Sequence, residues 1–388
     1  WRVMREYFYD PGHHGQDISA LKEKYAAYLP YLVTREDLNS VIKQGFLHLS
    51  VSHIKIEGGD QPSGNTQSER TGLLGADYKI DQGRFQFAHI YRGDNSVQKQ
   101  LRSPLGQPGL NINEGDYLLE VDGRKLNEGD NLYRYFIGKA DKTCQLRISS
   151  TADGELSRVV TVTPVADEYA LRNYDWVTAN RRRVDQLSGG KLAYIYVPDT
   201  GQNGYEIFNR EFYAQLDKQG VIIDERFNGG GVTPDYIIDI LKRSTLYRMM
   251  PRDSGDTPIP VGVIEGPRVL IINEYSTSGG DSMPFMFRAT GLGTIVGKRT
   301  GGAKVGGGDR NLIDGGKVTV PDWGHYDHIR GVWGVENFGV PPDIEVEILP
   351  ADWRAGRDPQ LERAVQAALE GMKKTTPVNK RPKFPVYK

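Results

Sequence analysis

Two short segments carry residue types suited to acyl transfer. Asp224-Glu225-Arg226-Phe227-Asn228-Gly229-Gly230-Gly231 follows the apolar run Val221-Ile222-Ile223, and Asn273-Glu274-Tyr275-Ser276-Thr277-Ser278-Gly279-Gly280-Asp281 follows Val269 to Ile272. Three glycines before a helix expose backbone N–H groups to an anion, either a phosphate or an oxyanion. No Lys-Ser/Thr pair follows them, which disfavours a phosphate-cradling loop. A serine at a strand-to-helix turn, followed by glycine, presents an exposed hydroxyl, and the next N–H points at a developing oxyanion. The run Ser276-Thr277-Ser278 equally suits an ordinary helix N-cap. A serine hydroxyl needs a base, and there are seven histidines: His13, His14, His48, His53, His89, His325 and His328. Spacing alone does not choose among them. His325-x-x-His328 has the spacing of a metal pair, but an aromatic, Gly-rich loop is a weak setting for one, and no metal or organic cofactor is assigned.

The elements that must position these segments change character along the chain. Residues 1–60 read as helical: Trp1, Met4, Tyr7 and Phe8 recur at helical spacing, and Thr34-Arg35-Glu36-Asp37 reads as an N-cap with an acidic first turn. That segment is short and is expected to pack on something later in the chain. Residues 61–70, which open Gln61-Pro62-Ser63-Gly64-Asn65-Thr66, read as a turn-rich boundary. From 71 to 165 short alternating strands dominate, with a helix expected around Leu132 to Ile137. Gly115-Asp116-x-Leu118-x-x-Val121-Asp122-Gly123 resembles the best-marked stretch of a PDZ domain, a fold that binds an extended peptide at a sheet edge. The alternative is a β-domain acting only as a spacer. Residues 166–185 read as a charged helix. Beyond 190, apolar strands alternate with helices at 205–216 and 282–289, the grammar of an α/β sheet whose ligand sites gather at the strands' carboxyl ends.

Composition narrows the function classes. Lys and Arg total 49 against 50 Asp and Glu, a net charge of −1. That balance argues against nucleic-acid or membrane-surface partners that depend on bulk positive charge. One cysteine, Cys144, rules out an intramolecular disulfide framework, and no apolar run approaches the length of a membrane span. Glycine is in surplus, 46 of 388 residues, and it clusters at 229–231, 279–280, 301–302 and 306–308. Such clusters suggest backbone brought close to something, and those at 301 and 306 are expected to shape a substrate cleft. The chain opens on Trp1 with no hydrophobic leader, which reads as a cut from a longer precursor.

Taken together, these segments resemble the catalytic part of the tricorn-type serine peptidases, relatives of the tail-specific, C-terminal-processing proteases. Five motifs run in that family's order: Val51-Ser52-His53-Ile54; Asp224-x-Arg226-Phe227-Asn228-Gly229-Gly230-Gly231; Asn273-Glu274-Tyr275-x-x-Ser278; Gly297-Lys298-Arg299-Thr300-Gly301-Gly302; and Val335-Glu336-Asn337-x-Gly339-Val340-x-Pro342-Asp343. The resemblance implies a mixed α/β (α+β) chain. Its parts would be a helical subdomain over 1–65, a PDZ-like β-domain over 66–165, a ClpP/crotonase-like α/β catalytic subdomain over 166–374, and a basic, proline-containing tail over 375–388. It implies a serine endopeptidase working through an acyl-enzyme, with Ser278 as nucleophile, His53 as base, Glu336 and Ser52 completing the relay, and Gly231 and Gly279 as oxyanion donors. The alternative is a non-catalytic ligand- or peptide-binding protein on the same fold.

Gly230, Met249 and Asp253 are assigned to substrate contacts. The family's acidic selectivity residue falls on Met249 by equal spacing from Ser278, with Asp253 close enough to substitute if the loop shifts, so the resemblance leaves an apolar preference open beside the family's basic one. The tail-specific relatives use a lysine 25 positions after the serine; here that position is Ala303, with Lys304 one step beyond. On an extended segment one step reverses a side chain's direction, which favours the His53–Glu336 arrangement. The resemblance further implies peptide substrates, a homo-oligomer (a hexamer), and a cytoplasmic setting, or a periplasmic one if an upstream signal was removed.

Overall fold

The computed structural model describes residues 1–60, 69–94, 99–374 and 381–387, so positions 61–68 of the predicted boundary and positions 375–380 and 388 of the tail lie outside the described residues. The chain forms two compact units, Trp1–Ser63 with Arg181–Lys388, and Gly64–Asn180. The first unit opens with helices α1 (Arg2–Tyr7), α2 (Ile18–Ala26) and α3 (Arg35–Phe46), then strand β1 (Ile56–Glu57). The predicted cap is present: Thr34 Oγ1 accepts from Asp37 N at 3.1 Å, and the Asp37 carboxylate accepts from Thr34 N at 2.8 Å. Asp17 caps α2 in the same way, taking the amides of Ser19 and Ala20.

The Gly64–Asn180 unit is an antiparallel sheet of β2 (Ala76–Asp81), β3 (Arg84–Ile90), β4 (Tyr117–Val121), β5 (Arg124–Lys125), β6 (Cys144–Ser149) and β7 (Arg158–Val162). Its order is β2-β3-β4-β6-β7, with β5 paired to β4. The Asp122-Gly123 pair turns β4 into β5 with both residues at positive φ, 48° and 72°, as a tight hairpin turn requires. Phe87, Leu118, Phe136, Leu146 and Ile148 fill its core. The helix expected near Leu132 is a short 3-10 turn, Leu132–Phe136, capped by Asn131. Helix α4 (Tyr169–Ser188) follows β7 in the chain.

There the α/β grammar is realised. Strands β8 (Leu192–Tyr196), β9 (Gly220–Asp224), β12 (Arg268–Ile272), β13 (Thr294–Gly297) and β18 (Ile344–Glu345) form a parallel sheet in the order β18-β13-β12-β9-β8. Helices α5 (Gln202–Tyr213), α6 (Pro234–Lys242), α7 (Gly279–Ala289), α8 (Pro350–Arg354) and α9 (Pro359–Lys374) accompany it, and β10 (Tyr247–Met249) and β11 (Thr257–Ile259) form a separate hairpin. Strands covered on both faces read as continuous apolar runs, and Ile223, Leu270, Ile272 and Ile295 lie in one core with Phe208, Phe212 and Phe287. Helix α7 begins at Gly279 rather than the predicted Ser282, because Ser278 itself serves as its N-cap. Among the described residues no helix is long and apolar enough to cross a membrane.

The amino-terminal segment does pack on later chain. Strand β1 pairs antiparallel with β15 (Lys317–Trp323), which pairs with β14 (Gly306–Asn311). Met4, Phe8, Phe46, Leu49, Val51 and Ile54 bury themselves against Val305, Val318 and Val320. The 306–308 glycines therefore lie in a strand rather than a cleft. A Cβ on Gly306 would stand 1.9 Å from the Trp323 ring, so its absence admits that indole. A short hairpin of β16 (Tyr326–Asp327) and β17 (Val332–Trp333) follows.

One buried ion cluster anchors the glycine loop to the sheet. Arg226, 2% exposed, donates Nη2 to Asp224 Oδ2 at 2.6 Å and Nε to Asp224 Oδ1 at 2.9 Å, and pairs through Nη1 with Asp358 at 2.8 Å. Tyr194 OH donates to the same Asp224 at 2.9 Å. Removing the cation strands a fully buried carboxylate, so Arg226→Met is expected to cost about 3–5 kcal/mol. Urea unfolding at neutral pH measures this, and a loss below about 1 kcal/mol would mean that the cluster does not anchor the loop.

Candidate active site

Parallel pairing sets the two chemistry-bearing segments side by side. Ile271 is in register with Asp224, so the chain leaves β9 and β12 at adjacent carboxyl ends. The turns are then stitched together: Thr277 N donates to Asn228 O at 3.1 Å, and Ser276 Oγ donates to Glu225 O at 2.8 Å. Asn273 Oδ1 accepts from Phe227 N at 3.0 Å, which brings the Phe227 and Tyr275 rings into a stack at 5.5 Å.

Ser278 sits in a strained turn, with φ 60° and ψ −110°. A non-glycine residue holds such angles only where its surroundings over-determine them, and strain of this kind concentrates at functional sites. Part of the hold is its own N–H, which donates to Asp281 Oδ2 at 2.8 Å. Its Oγ has no hydrogen-bond partner among the described residues and is partly exposed. Gly230 backs onto it, since a Cβ there would lie 2.7 Å from the Cβ of Ser278.

The predicted oxyanion donors converge on the same spot. Gly231 has φ 143°, and a Cβ on Gly279 would stand 2.7 Å from Gly231 N and 1.9 Å from Thr200 Oγ1. No side chain fits there, which is why glycine occupies both positions. Neither the Gly231 nor the Gly279 N–H donates to a described group, whereas the neighbouring amides of Gly229, Gly230 and Gly280 are all used. Two free N–H groups at the Ser278 turn suit a developing oxyanion.

The predicted base lies near the other end of the chain. Val51 and Ile54 are buried and leave Ser52 and His53 facing outward between α3 and β1. His53 Nδ1 lies 3.2 Å from Ser52 Oγ, and Ser52 Oγ donates to Glu336 Oε1 at 3.0 Å. That direction assigns the Nδ1 proton to the bond with Ser52 and leaves Nε2 as the free acceptor. Glu336 also accepts from Ser52 N at 2.9 Å and, on Oε2, from Lys304 N at 2.5 Å and Val305 N at 2.6 Å. It is held between Val335 and Asn337, both at positive φ, in a loop tied to the Ser52 segment by Asn337 Nδ2 on Ser50 O at 2.7 Å. Burial lowers the pKa of His53 below 6.5; Glu336 and Asp281 push it back up, while Lys55 and Lys304 lower it further.

Several residues fall outside the sequence expectation. Lys304 is not turned away: its Nζ reaches Ser282 Oγ on α7, and burial lowers its pKa. His325 hydrogen-bonds the Lys304 backbone and borders a small cavity with Lys304, Glu336, Tyr9 and Trp333. Asp281, fully buried, accepts four hydrogen bonds, and nothing in its spacing marks it beyond a helix first-turn acid. Glu225 is buried with neither carboxyl oxygen paired among the described residues, and burial first, then Asp281 and Asp224, drive its pKa up strongly. Met249 lies on the β10–β11 hairpin. That hairpin borders a cavity of about 830 Å³ shared with Leu241, Arg268 and Leu292, at the strands' amino ends. Asp253 is exposed in the turn between β10 and β11.

Comparison with known proteins matches these parts in order. Residues 1–46 match the tricorn protease C1 domain, 72–167 the tricorn protease PDZ domain, and 191–346 peptidase family S41. The chain is 34% identical over 375 residues to the tricorn protease of Thermoplasma acidophilum, covering 96% of this chain and 34% of that protein. It is 33% identical over 386 residues to tricorn protease homolog 1 of Streptomyces coelicolor, covering 99% of this chain and 36% of the relative. The crystal structure of the tricorn protease superposes with a TM-score of 0.88 at 34% identity, over 96% of this chain and 36% of that one. The chain thus spans about a third of the length of these relatives.

Proposed function

The chain belongs to the tricorn protease family, as its catalytic region, and on that premise we propose that it is a serine endopeptidase cleaving peptides or unfolded polypeptides. The observation that carries this reading is the line from Glu336 through Ser52 to His53, whose carboxylate holds the same loop that Asp281 ties to the amide of Ser278. In it, His53 Nε2 takes the proton of Ser278 Oγ as Oγ bonds to the scissile carbonyl carbon. The carbonyl oxygen becomes an oxyanion between the N–H groups of Gly231 and Gly279. The imidazolium is stabilised by Glu336 through the Ser52 hydroxyl and returns its proton to the leaving amine as the C–N bond breaks. Water then repeats the sequence on the acyl-enzyme, and Ser278 is released. No step calls on a metal or an organic cofactor.

The finer parts of the reading are the partners. Peptide is the substrate class, and self-association into a closed homo-oligomer is included on the strength of the family resemblance; mass measurement in solution tests it. A serine-reactive phosphonate followed by peptide mapping tests the chemistry. A single adduct on the peptide bearing Ser278 is expected, and no adduct under conditions that label a control serine peptidase would end the proposal.

A further inference from the structure

The loop after β13 divides its hydrogen-bond donors between two carboxylates. Thr300 Oγ1 and Gly302 N donate to Asp281 Oδ1 at 2.5 and 2.8 Å, and Ala303 N donates to Asp281 Oδ2 at 2.9 Å. The next two amides, Lys304 N and Val305 N, turn to Glu336 Oε2 at 2.5 and 2.6 Å. Asp281 Oδ2 also holds the amide of Ser278, and Glu336 Oε1 holds Ser52. A few residues of backbone thereby join the amide of the nucleophile to the carboxylate behind the base.

We propose that Asp281 is a positioning residue that sets the register of Ser278 against the His53–Glu336 relay through the 300–305 loop. This rests on the peptidase reading above. A first-turn acid that merely caps α7 needs a single bond, to the N-cap amide. Asp281 makes three more, all to a loop some twenty positions on. Its side chain is fully buried, a costly place for a carboxylate unless it is fully paired. Burial raises its pKa, and the four donors oppose that rise. The Thr300 proton is committed to this contact, because Thr300 Oγ1 itself accepts from Val340 N at 2.7 Å. The two anchored groups also need the help: Ser278 occupies strained angles, and Glu336 is flanked by positive-φ residues. Catalysis by a relay tolerates little misplacement, about 10²-fold in rate for about 1 Å.

An amide at this position cannot do the same work. Each oxygen of Asp281 receives two donors, so an asparagine side chain, in either orientation, would set its NH₂ against two N–H or O–H groups. The replacement also deletes a charge. The charged groups that the His53 ring feels are Glu336, Lys55, Asp281 and Lys304, and Asp281 is one of the two that raise its pKa.

The test uses the full chain, first establishing phosphonate labelling of the wild type at Ser278, then comparing Asp281→Asn, Thr300→Val and Thr300→Ser. Asp281→Asn is expected to lower kcat by about 100-fold with KM within about threefold. The acid limb of kcat/KM should move to lower pH, since a charge that favours protonated His53 is gone. Thr300→Val removes one donor and should lower kcat in the same direction by about tenfold, and Thr300→Ser, which keeps the hydroxyl, should recover most of it. A folded Asp281→Asn with wild-type kcat and an unmoved acid limb overturns the proposal. So does one whose loss equals its fraction of unlabelled sites, because that is structural damage alone. Should Asp281→Asn not fold, wild-type kcat in Thr300→Val overturns it on its own. A wild-type chain never labelled at Ser278 overturns this inference and the peptidase reading together.

Discussion

Ser278→Ala is expected to lower kcat by about 10⁴–10⁶-fold while leaving the fold intact. The size follows from the role: without the hydroxyl no acyl-enzyme forms, and only the oxyanion donors and substrate binding are left to act on a bound peptide. The intact fold follows from the structure. Ser278 Oγ bonds to no described group, while the turn is held by the backbone amide on Asp281 and by Thr277 N on Asn228 O, both of which alanine keeps. The side chain is partly exposed, so its loss should change unfolding free energy by less than about 1 kcal/mol. Thermal unfolding alongside steady-state kinetics separates the two effects. A variant with near-normal turnover would remove Ser278 as nucleophile, and a variant that loses activity only in proportion to its folded fraction would make Ser278 structural.

What the sequence disclosed about this site depends on how far each contact reaches. The Ser278 turn and the Gly229–Gly231 loop are marked locally, by small residues directly after buried apolar strands, because close backbone approach excludes side chains. The register of β9 against β12 then follows from ordinary α/β topology. His53 is different. The segment that carries it is placed by the pairing of β1 with β15 and by the burial of Val51 and Ile54, contacts to residues some 260 positions away that no spacing encodes. What singles it out from seven histidines is the order of motifs across the chain. Asp281 and Lys304 carry no such mark. Each is locally an ordinary charged residue, and each acquires its part only through a loop that folds back onto α7. Lys304 shows the limit of a two-residue period. The alternation rule holds along a strand, but residues 298–305 are not one, and the long side chain reaches Ser282 regardless.

His53→Ala is the second large effect, expected to match Ser278→Ala at about 10⁴–10⁶-fold, because a nucleophile and its base act as a unit. The rival base is Lys304. It stands in the site, but its Nζ is engaged by Ser282 Oγ, which in turn donates to the Ser278 backbone carbonyl at 3.3 Å rather than to its hydroxyl. A base must lie within hydrogen-bond reach of the proton it removes. The pH profile distinguishes the two. The neutral imidazole is the active form, so kcat/KM should rise as pH passes upward through the pKa of His53, which burial holds below 6.5 in the free protein. A lysine base would place that rise at higher pH, since Lys304 is lowered from 10.5. Lys304→Met removes a cation that depresses the imidazole, so the acid limb should shift upward while the rate falls by about tenfold at most. Near-normal phosphonate labelling of His53→Ala, with labelling lost in Lys304→Met, would transfer the role of base to the lysine. Glu336 would then serve only to fix the loop amides of Lys304 and Val305, and Ser52 would have no proton to pass.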